Sequence, residues 1–91
     1  MRNLLMAGLV ALSHSSLAAA PVTVALNVQN MNCGLCPVTV KKALEKVQGV
    51  ESVSVDFDRK TAKVIYDPDK TSPEILTKAT ADSGYPSSVQ Q

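Results

Sequence analysis

The sequence of 91 residues contains no tryptophan, one phenylalanine, two tyrosines, one histidine and two cysteines. So few aromatic side chains exclude a platform on which the bases of nucleic acid could stack. Two cysteines exclude a scaffold that several disulfides hold together. The charged fraction of 19% is too low for a disordered chain, and the length excludes a barrel enzyme or a second domain. The sequence therefore predicts one small globular domain.

Residues 1–18 have the three-part pattern of a secretory signal peptide. A basic start at Arg2 precedes an uninterrupted run of apolar and small residues over 4–12, and small residues then lead to three alanines at 18–20. The apolar run is about half of the roughly 20 residues that a membrane-spanning helix needs, which makes a permanent anchor the weaker interpretation. We predict cleavage after Ala18 or Ala20, a mature domain over 21–90, and a periplasmic location.

Removal of this leader would change the charge and the metal-binding capacity of the chain. Lys and Arg total nine and Asp and Glu total eight, so the loss of Arg2 makes the two classes equal. Balanced charge provides no electrostatic case for binding nucleic acid or anionic lipid. The leader also contains His14, which is the only histidine, so any metal chemistry of the mature domain must use sulfur or oxygen ligands.

Strict alternation of apolar and polar residues predicts three strands. The pattern covers residues 22–28, 52–57 and 62–66, and a polar turn joins the last two into a hairpin. The tail at 85–89 predicts a short fourth strand that follows the second helical segment.

Two segments between these strands have the spacing of amphipathic helices. The first is predicted to begin at Pro37 and to end at Gly49. The second is predicted to begin at Pro73 after an N-cap at Ser72, and to end at Gly84. The apolar residues predicted to face inward recur at helical spacing: Val40, Ala43, Leu44 and Val47 in the first helix, and Ile75, Leu76 and Ala79 in the second.

The predicted order of elements is β-α-β-β-α-β. Two β-α-β crossovers around a central hairpin predict an α+β fold, the ferredoxin-like open-faced sandwich with a four-stranded antiparallel sheet. Because such crossovers are right-handed, both helices are expected on one face of the sheet.

The candidate functional residues are the two cysteines, which lie three positions apart before the first helix. Two thiols at this spacing can converge on one soft ion or close a short disulfide. Cys36 is predicted at the N-cap of the helix, where free N–H groups and the helix dipole favour a thiolate. Cys33 is predicted in the preceding loop and therefore more exposed, while Gly34 is expected to let the backbone fold tightly.

The cysteine pair has three possible interpretations. A purely stabilising disulfide suits an exported protein, but closing so short a loop gains little stability. A thiol–disulfide oxidoreductase shares the C-x-x-C spacing but usually has Trp before the first Cys and Pro between the two, whereas Asn32 precedes and Pro37 follows this pair. A two-thiolate site for a soft cation is favoured, because tetrahedral zinc needs four ligands and two thiolates suit linear Hg(II) or Cu(I).

The segment M-x-C-x-x-C between a first strand and a first helix resembles the heavy-metal-associated domain family. Two longer runs, over 33–43 and 76–89, are similar to the periplasmic mercury-binding members of this family. The resemblance covers the whole predicted mature chain and the leader. It implies a monomeric, non-enzymatic carrier in which Cys33 and Cys36 bind one Hg(II) and pass it to an inner-membrane mercuric transporter. Carriage of Cu(I) by the same thiols is the alternative.

The cysteine loop departs from the usual family pattern at two positions. Asn30 replaces a glycine and Asn32 replaces a threonine; since Asn tolerates left-handed backbone better than most residues, we expect the loop to form. Leu35 is bulkier than the usual residue and should give the site an apolar rim. Met31 is expected in the core rather than as a thioether ligand, and the resemblance implies that Tyr85 lies beside the loop.

Overall fold

A computed structural model describes residues 20–90, so the predicted signal peptide lies outside the described residues. The strands are β1 (Val22–Val28), β2 (Val50–Asp56), β3 (Thr61–Tyr66) and β4 (Ser87–Val89), and the helices are α1 (Cys36–Glu45) and α2 (Pro73–Asp82). The strands pair antiparallel in one sheet of order β2-β3-β1-β4. The predicted ferredoxin-like fold and its order of elements are confirmed.

The central position of β1 follows from its alternating pattern. Leu26 and Val28 are buried against the helices, and Asn27 between them is exposed on the opposite face. On one side Leu26 pairs with Ala62 of β3, and on the other side it pairs with Val89 of β4. Because β1 runs directly into the cysteine loop, the middle of the sheet fixes where that loop starts.

The inward faces of the sheet and of both helices share one hydrophobic core. Each element places its apolar residues on one side, so burial of that side drives the sheet and helices together. The largest side chains with almost no exposure come from β1, β3, both helices and the cysteine loop: Leu26, Met31, Leu44, Leu76, Val40, Val64 and Thr80. The helices cover one face only, which leaves the other face of the sheet open.

The first helix is shifted relative to the prediction. Leu35 is its N-cap, Cys36 is its first residue, and it ends at Glu45 rather than continuing to Gly49. Gly49 instead has a φ of 101° and forms the turn into β2. A Cβ on Gly49 would lie 2.6 Å from the Cβ of Lys70, so both the backbone angle and the close approach require glycine there.

The second strand also differs from its prediction at both ends, since it begins at Val50 rather than at residue 52. Alternation extended it to Phe57, but β2 ends at Asp56 and Phe57 begins the hairpin turn with a side chain that is 36% exposed. The Nζ of Lys60 lies 3.8 Å from the centre of its ring. Phe57 thus packs against a cation at the surface rather than in the sheet.

The second helix begins and ends as predicted but is rotated relative to the prediction. Ser72 Oγ accepts a hydrogen bond from the Ile75 N–H at 3.4 Å, and Gly84 follows the helix with a φ of 96°. Ile75, predicted to face inward, is 48% exposed, while Thr80 is fully buried. Because Leu76 and Thr80 are four residues apart, they share one face of the helix, and Ile75 lies about 100° away from it.

Candidate metal centre

The cysteine-bearing segment over residues 29–35, here called the metal loop, connects β1 to α1. Its first two residues are held by the turn between α2 and β4: the Gln29 N–H donates to the Pro86 carbonyl at 2.8 Å, and Asn30 Nδ2 donates to the Gly84 carbonyl at 3.4 Å. Asn30 has a φ of 66°, which confirms that asparagine occupies left-handed backbone here. Tyr85 lies in this same turn, as the resemblance implied.

Met31 turns inward from the metal loop. It is fully buried, and it belongs to the same core cluster as Leu26 and Cys36. The prediction that Met31 packs in the core is confirmed. Its side chain therefore packs with the buried Cys36 in the core, while Cys33 is exposed.

The two cysteines differ sharply in exposure. Cys33 is exposed in the loop, whereas Cys36 opens α1 with only 4% of its surface exposed. In this structure the two are joined by a disulfide, and their Cα atoms are 5.2 Å apart. The predicted convergence of the two sulfurs and the predicted difference in access are both confirmed.

Two hydrogen bonds link the cysteines, and each cysteine N–H donates one of them. The Cys36 N–H donates to the Cys33 carbonyl at 3.1 Å, and the Cys33 N–H donates to Cys36 Sγ at 3.1 Å. Cys36 also lies at the positive end of α1, whose first turn contains no acidic residue. After reduction, the helix dipole and the Cys33 N–H would stabilise negative charge on the Cys36 sulfur, against the cost of its burial.

The rim of the site is apolar and its backbone is open. Leu35 is 75% exposed and Val38 is 48% exposed, which confirms the expected apolar rim beside Cys33. The backbone between the cysteines folds into a tight turn, as expected. The φ of Gly34 is not in the left-handed region, and a Cβ there would meet no atom within 4 Å, so this turn does not require glycine.

Two negative findings concern residues 20–90 only. In that range no three His, Cys, Asp or Glu side chains are grouped so that they could hold a metal ion. The described helices also include none that is long and apolar enough to cross a membrane. The sulfurs of Cys33 and Cys36 are nevertheless brought together as a pair.

The sequence is similar to one family model and to named bacterial proteins. Residues 25–86 match the family model of the heavy-metal-associated domain. A protein of Shigella flexneri is 58% identical over 73 residues, which are 80% of each chain. A protein of Pseudomonas fluorescens is 50% identical over 90 residues, which are 99% of each chain. Both are named "Mercuric transport protein periplasmic component", and the predicted periplasmic location is confirmed.

Solved structures with the same fold support the assignment of the chain to a family. Oxidised MerP from Ralstonia metallidurans CH34 has a TM-score of 0.77 and 57% identity, covering 79% of this chain and 100% of that one. The mercury-bound form of MerP has a TM-score of 0.70, with the same identity and coverage. The CopZ metallochaperone has a TM-score of 0.70 and 33% identity, covering 74% of this chain and 100% of that one. The chain therefore belongs to the heavy-metal-associated domain family, as its M-x-C-x-x-C segment indicated.

Proposed function

We propose that the reduced Cys33 and Cys36 thiols bind one Hg(II) in the periplasm and carry it to an inner-membrane mercuric transporter. The observation that carries this proposal is the convergence of one exposed and one buried cysteine at the end of the domain. It is supported by 57% identity to a protein whose structure was solved with mercury bound.

The ligand set suits a soft ion that accepts two donors. Thiolate sulfur is the preferred ligand of soft metals, and two thiolates neutralise the charge of Hg(II). Binding releases the two thiol protons. Since the cysteines form a disulfide in this structure, a dithiol reductant must first transfer two electrons and two protons to the pair, and it becomes a disulfide itself. Because the two thiolates already neutralise Hg(II), the ion needs no further charged ligand from the described residues.

Transfer would proceed by exchange of thiolates on the bound ion. An incoming thiolate from the transporter attacks Hg(II), a three-coordinate intermediate forms, and one original sulfur leaves and takes up a proton. Cys33 is the sulfur that exchanges first, because it is exposed and Gly34 beside it has open space. Cys36 is the last sulfur to leave the ion, because it is buried and accepts a hydrogen bond from the Cys33 N–H.

A copper(I) carrier is the second candidate, since the CopZ metallochaperone shares the fold at 33% identity. The higher identity to mercuric transport proteins favours Hg(II). Competition between the two ions on the reduced protein, followed by native mass spectrometry, separates the candidates. We expect one Hg(II) per chain even with Cu(I) in excess, and none on the oxidised protein. Retention of Cu(I), or equal Hg(II) binding by the oxidised protein, would contradict the proposal.

Delivery needs a separate experiment. Protein loaded with Hg(II) is mixed with inner-membrane vesicles that either contain or lack a mercuric transporter. We expect the ion to leave the carrier only in the presence of the transporter, and more slowly when the transporter's thiols are blocked. Equal loss to both kinds of vesicle would show that release is not directed to a transporter.

A further inference from the structure

Asn30 occupies a backbone conformation that glycine would adopt without cost. In the described range 20–90, the non-glycine residues with positive φ are Asn30 at 66° and Lys60 at 59°. Left-handed backbone is unfavourable for residues with a Cβ, although Asn bears it better than most. A side chain at this position therefore has a conformational cost, which a contact made by that side chain can offset.

The side chain of Asn30 makes such a contact. Its Nδ2 donates to the carbonyl of Gly84 at 3.4 Å, across 54 positions of sequence. The preceding Gln29 N–H donates to the Pro86 carbonyl at 2.8 Å. The start of the metal loop is thus attached to the turn between α2 and β4 by one backbone bond from Gln29 and one side-chain bond from Asn30, and with glycine at position 30 only the bond from Gln29 would remain.

The turn that accepts these bonds is itself fixed to α2. The Tyr85 N–H donates to the Thr80 carbonyl at 2.8 Å. Thr80 is fully buried, and its hydroxyl donates to the Thr77 carbonyl at 3.0 Å. The same hydroxyl shares a hydrogen bond with the Ser87 hydroxyl at 2.6 Å. The Gly84 carbonyl is therefore held in place by α2 rather than by the loop that it restrains.

We propose that Asn30 is a positioning residue that restrains the start of the metal loop and slows release of the cargo ion. This inference rests on the proposed function, in which Cys33 is the first sulfur to leave the ion; to leave, it must move away from Cys36, and the metal loop that carries it must open. If the Asn30 bond is present in both the free and the ion-bound protein, its loss leaves the affinity unchanged. The loss of this bond instead increases the population of the open loop, from which transfer occurs, and so raises the rate of transfer.

Two variants separate the side-chain bond from the backbone conformation. Asn30→Gly keeps the left-handed backbone and removes the side chain. Asn30→Asp keeps the size and replaces the donor with an acceptor. Two controls match them: Lys60→Gly relieves the same backbone conformation in the hairpin turn, and Asn27→Asp adds the same charge at an exposed position of β1 outside the metal loop.

Two measurements are made on each variant. Amide hydrogen exchange of the reduced, ion-free protein reports opening at the backbone N–H groups of Asn32, Cys33 and Cys36. Stopped-flow mixing with a small dithiol gives the rate of Hg(II) transfer, and competition gives the affinity. We expect both Asn30 variants to raise the rates of loop exchange and of Hg(II) transfer by about two- to tenfold, the range that the free energy of one neutral hydrogen bond corresponds to. Their Hg(II) affinity should not change, and both control variants should behave like the unaltered protein.

Other results would overturn the inference. Unchanged loop exchange in Asn30→Asp would show that the side-chain bond restrains nothing. If Lys60→Gly raised loop exchange and transfer rate equally, the effect would come from a general loss of rigidity and not from the Asn30 bond. If the Hg(II) affinity of an Asn30 variant fell as its transfer rate rose, Asn30 would act on binding and not on transfer alone. The exchange measurement needs no metal, so it decides the role of Asn30 even if Hg(II) fails to bind and the proposed function is wrong.

Discussion

Replacement of Met31 distinguishes a core residue from a third sulfur ligand. Met31 is fully buried in the same cluster as Cys36, two positions before Cys33. As a core residue it contributes volume and apolar surface, which leucine can replace. As a ligand it would contribute a sulfur atom, which leucine cannot replace. The pair Met31→Leu and Met31→Ala therefore separates the two roles.

The magnitudes follow from burial. Truncation of a fully buried Met to Ala typically costs about 2–5 kcal/mol, which includes the cavity left behind. Exchange of Met for Leu conserves volume and usually costs less than about 1.5 kcal/mol. Small domains have only about 5–15 kcal/mol of stability in total. Met31→Ala is thus expected to be severely destabilised, while Met31→Leu stays folded and available for metal titration.

The assay combines urea denaturation of the reduced, ion-free variants with competition for Hg(II). Leu26→Ala serves as a matched core truncation on β1, and we expect a loss of stability similar to that of Met31→Ala. Met31→Leu should bind Hg(II) as tightly as the unaltered protein. A loss of affinity in Met31→Leu comparable to that of a cysteine variant would refute the reasoning and make Met31 a ligand.

Four further predictions concern other parts of the chain. In the reduced protein the thiol pKa of Cys36 should lie below that of Cys33, because the positive end of α1 and the Cys33 N–H stabilise its thiolate by more than burial disfavours it; thiol titration of each single Cys→Ala variant checks this, and the reverse order would contradict it. Mixed disulfides with an outside thiol should form mainly through the exposed Cys33, and peptide mapping that finds mainly Cys36 would oppose this placement. Gly49→Ala should lose at least about 1–2 kcal/mol from its left-handed backbone, whereas Gly34→Ala should be neutral or gain up to about 1 kcal/mol, as urea denaturation would measure. Mass spectrometry of the natively expressed protein should find an N-terminus at Ala19 or Pro21, and an intact leader would contradict the predicted cleavage.

Local patterns were sufficient to predict the elements and the cysteine site. Alternation located β1 over its observed residues, because Leu26 and Val28 are buried in the core and Val24 packs against it, while Asn27 faces the other way. Ser72 and Gly84 marked the two ends of α2, because capping and left-handed backbone depend on single residues. The spacing of Cys33 and Cys36 before a helix likewise implied that their sulfurs meet.

The features that the sequence did not reveal depend on tertiary contacts. Val47 continues the helical spacing of α1, yet the helix ends at Glu45 because the chain must turn at Gly49, close to Lys70. The choice between Ile75 and Thr80 as inward residues depends on the hydroxyl partner that β4 supplies to Thr80. These contacts join residues that no local pattern relates.

The tether of Asn30 to Gly84 joins residues 54 positions apart, and the bond from the Cys33 N–H to Cys36 Sγ depends on the three-dimensional path of the loop. The local signal that could have indicated the tether is the asparagine at position 30, where the family pattern has glycine and left-handed backbone was expected. It identifies a residue under conformational constraint, but it does not identify the carbonyl that the side chain reaches.

The central claim is that the two thiols together form the ion site, and cysteine replacement tests it most directly. Hg(II) affinity is measured by competition with a small dithiol on four reduced proteins: unaltered, Cys33→Ser, Cys36→Ser and the double variant. Each single variant should lose more than about 100-fold in affinity, since even loss of a partner that only supports a metal ligand typically costs 10–100-fold. The double variant should retain no tight binding. One Hg(II) bound tightly by the double variant would contradict the account, because the ion would then lie on other residues.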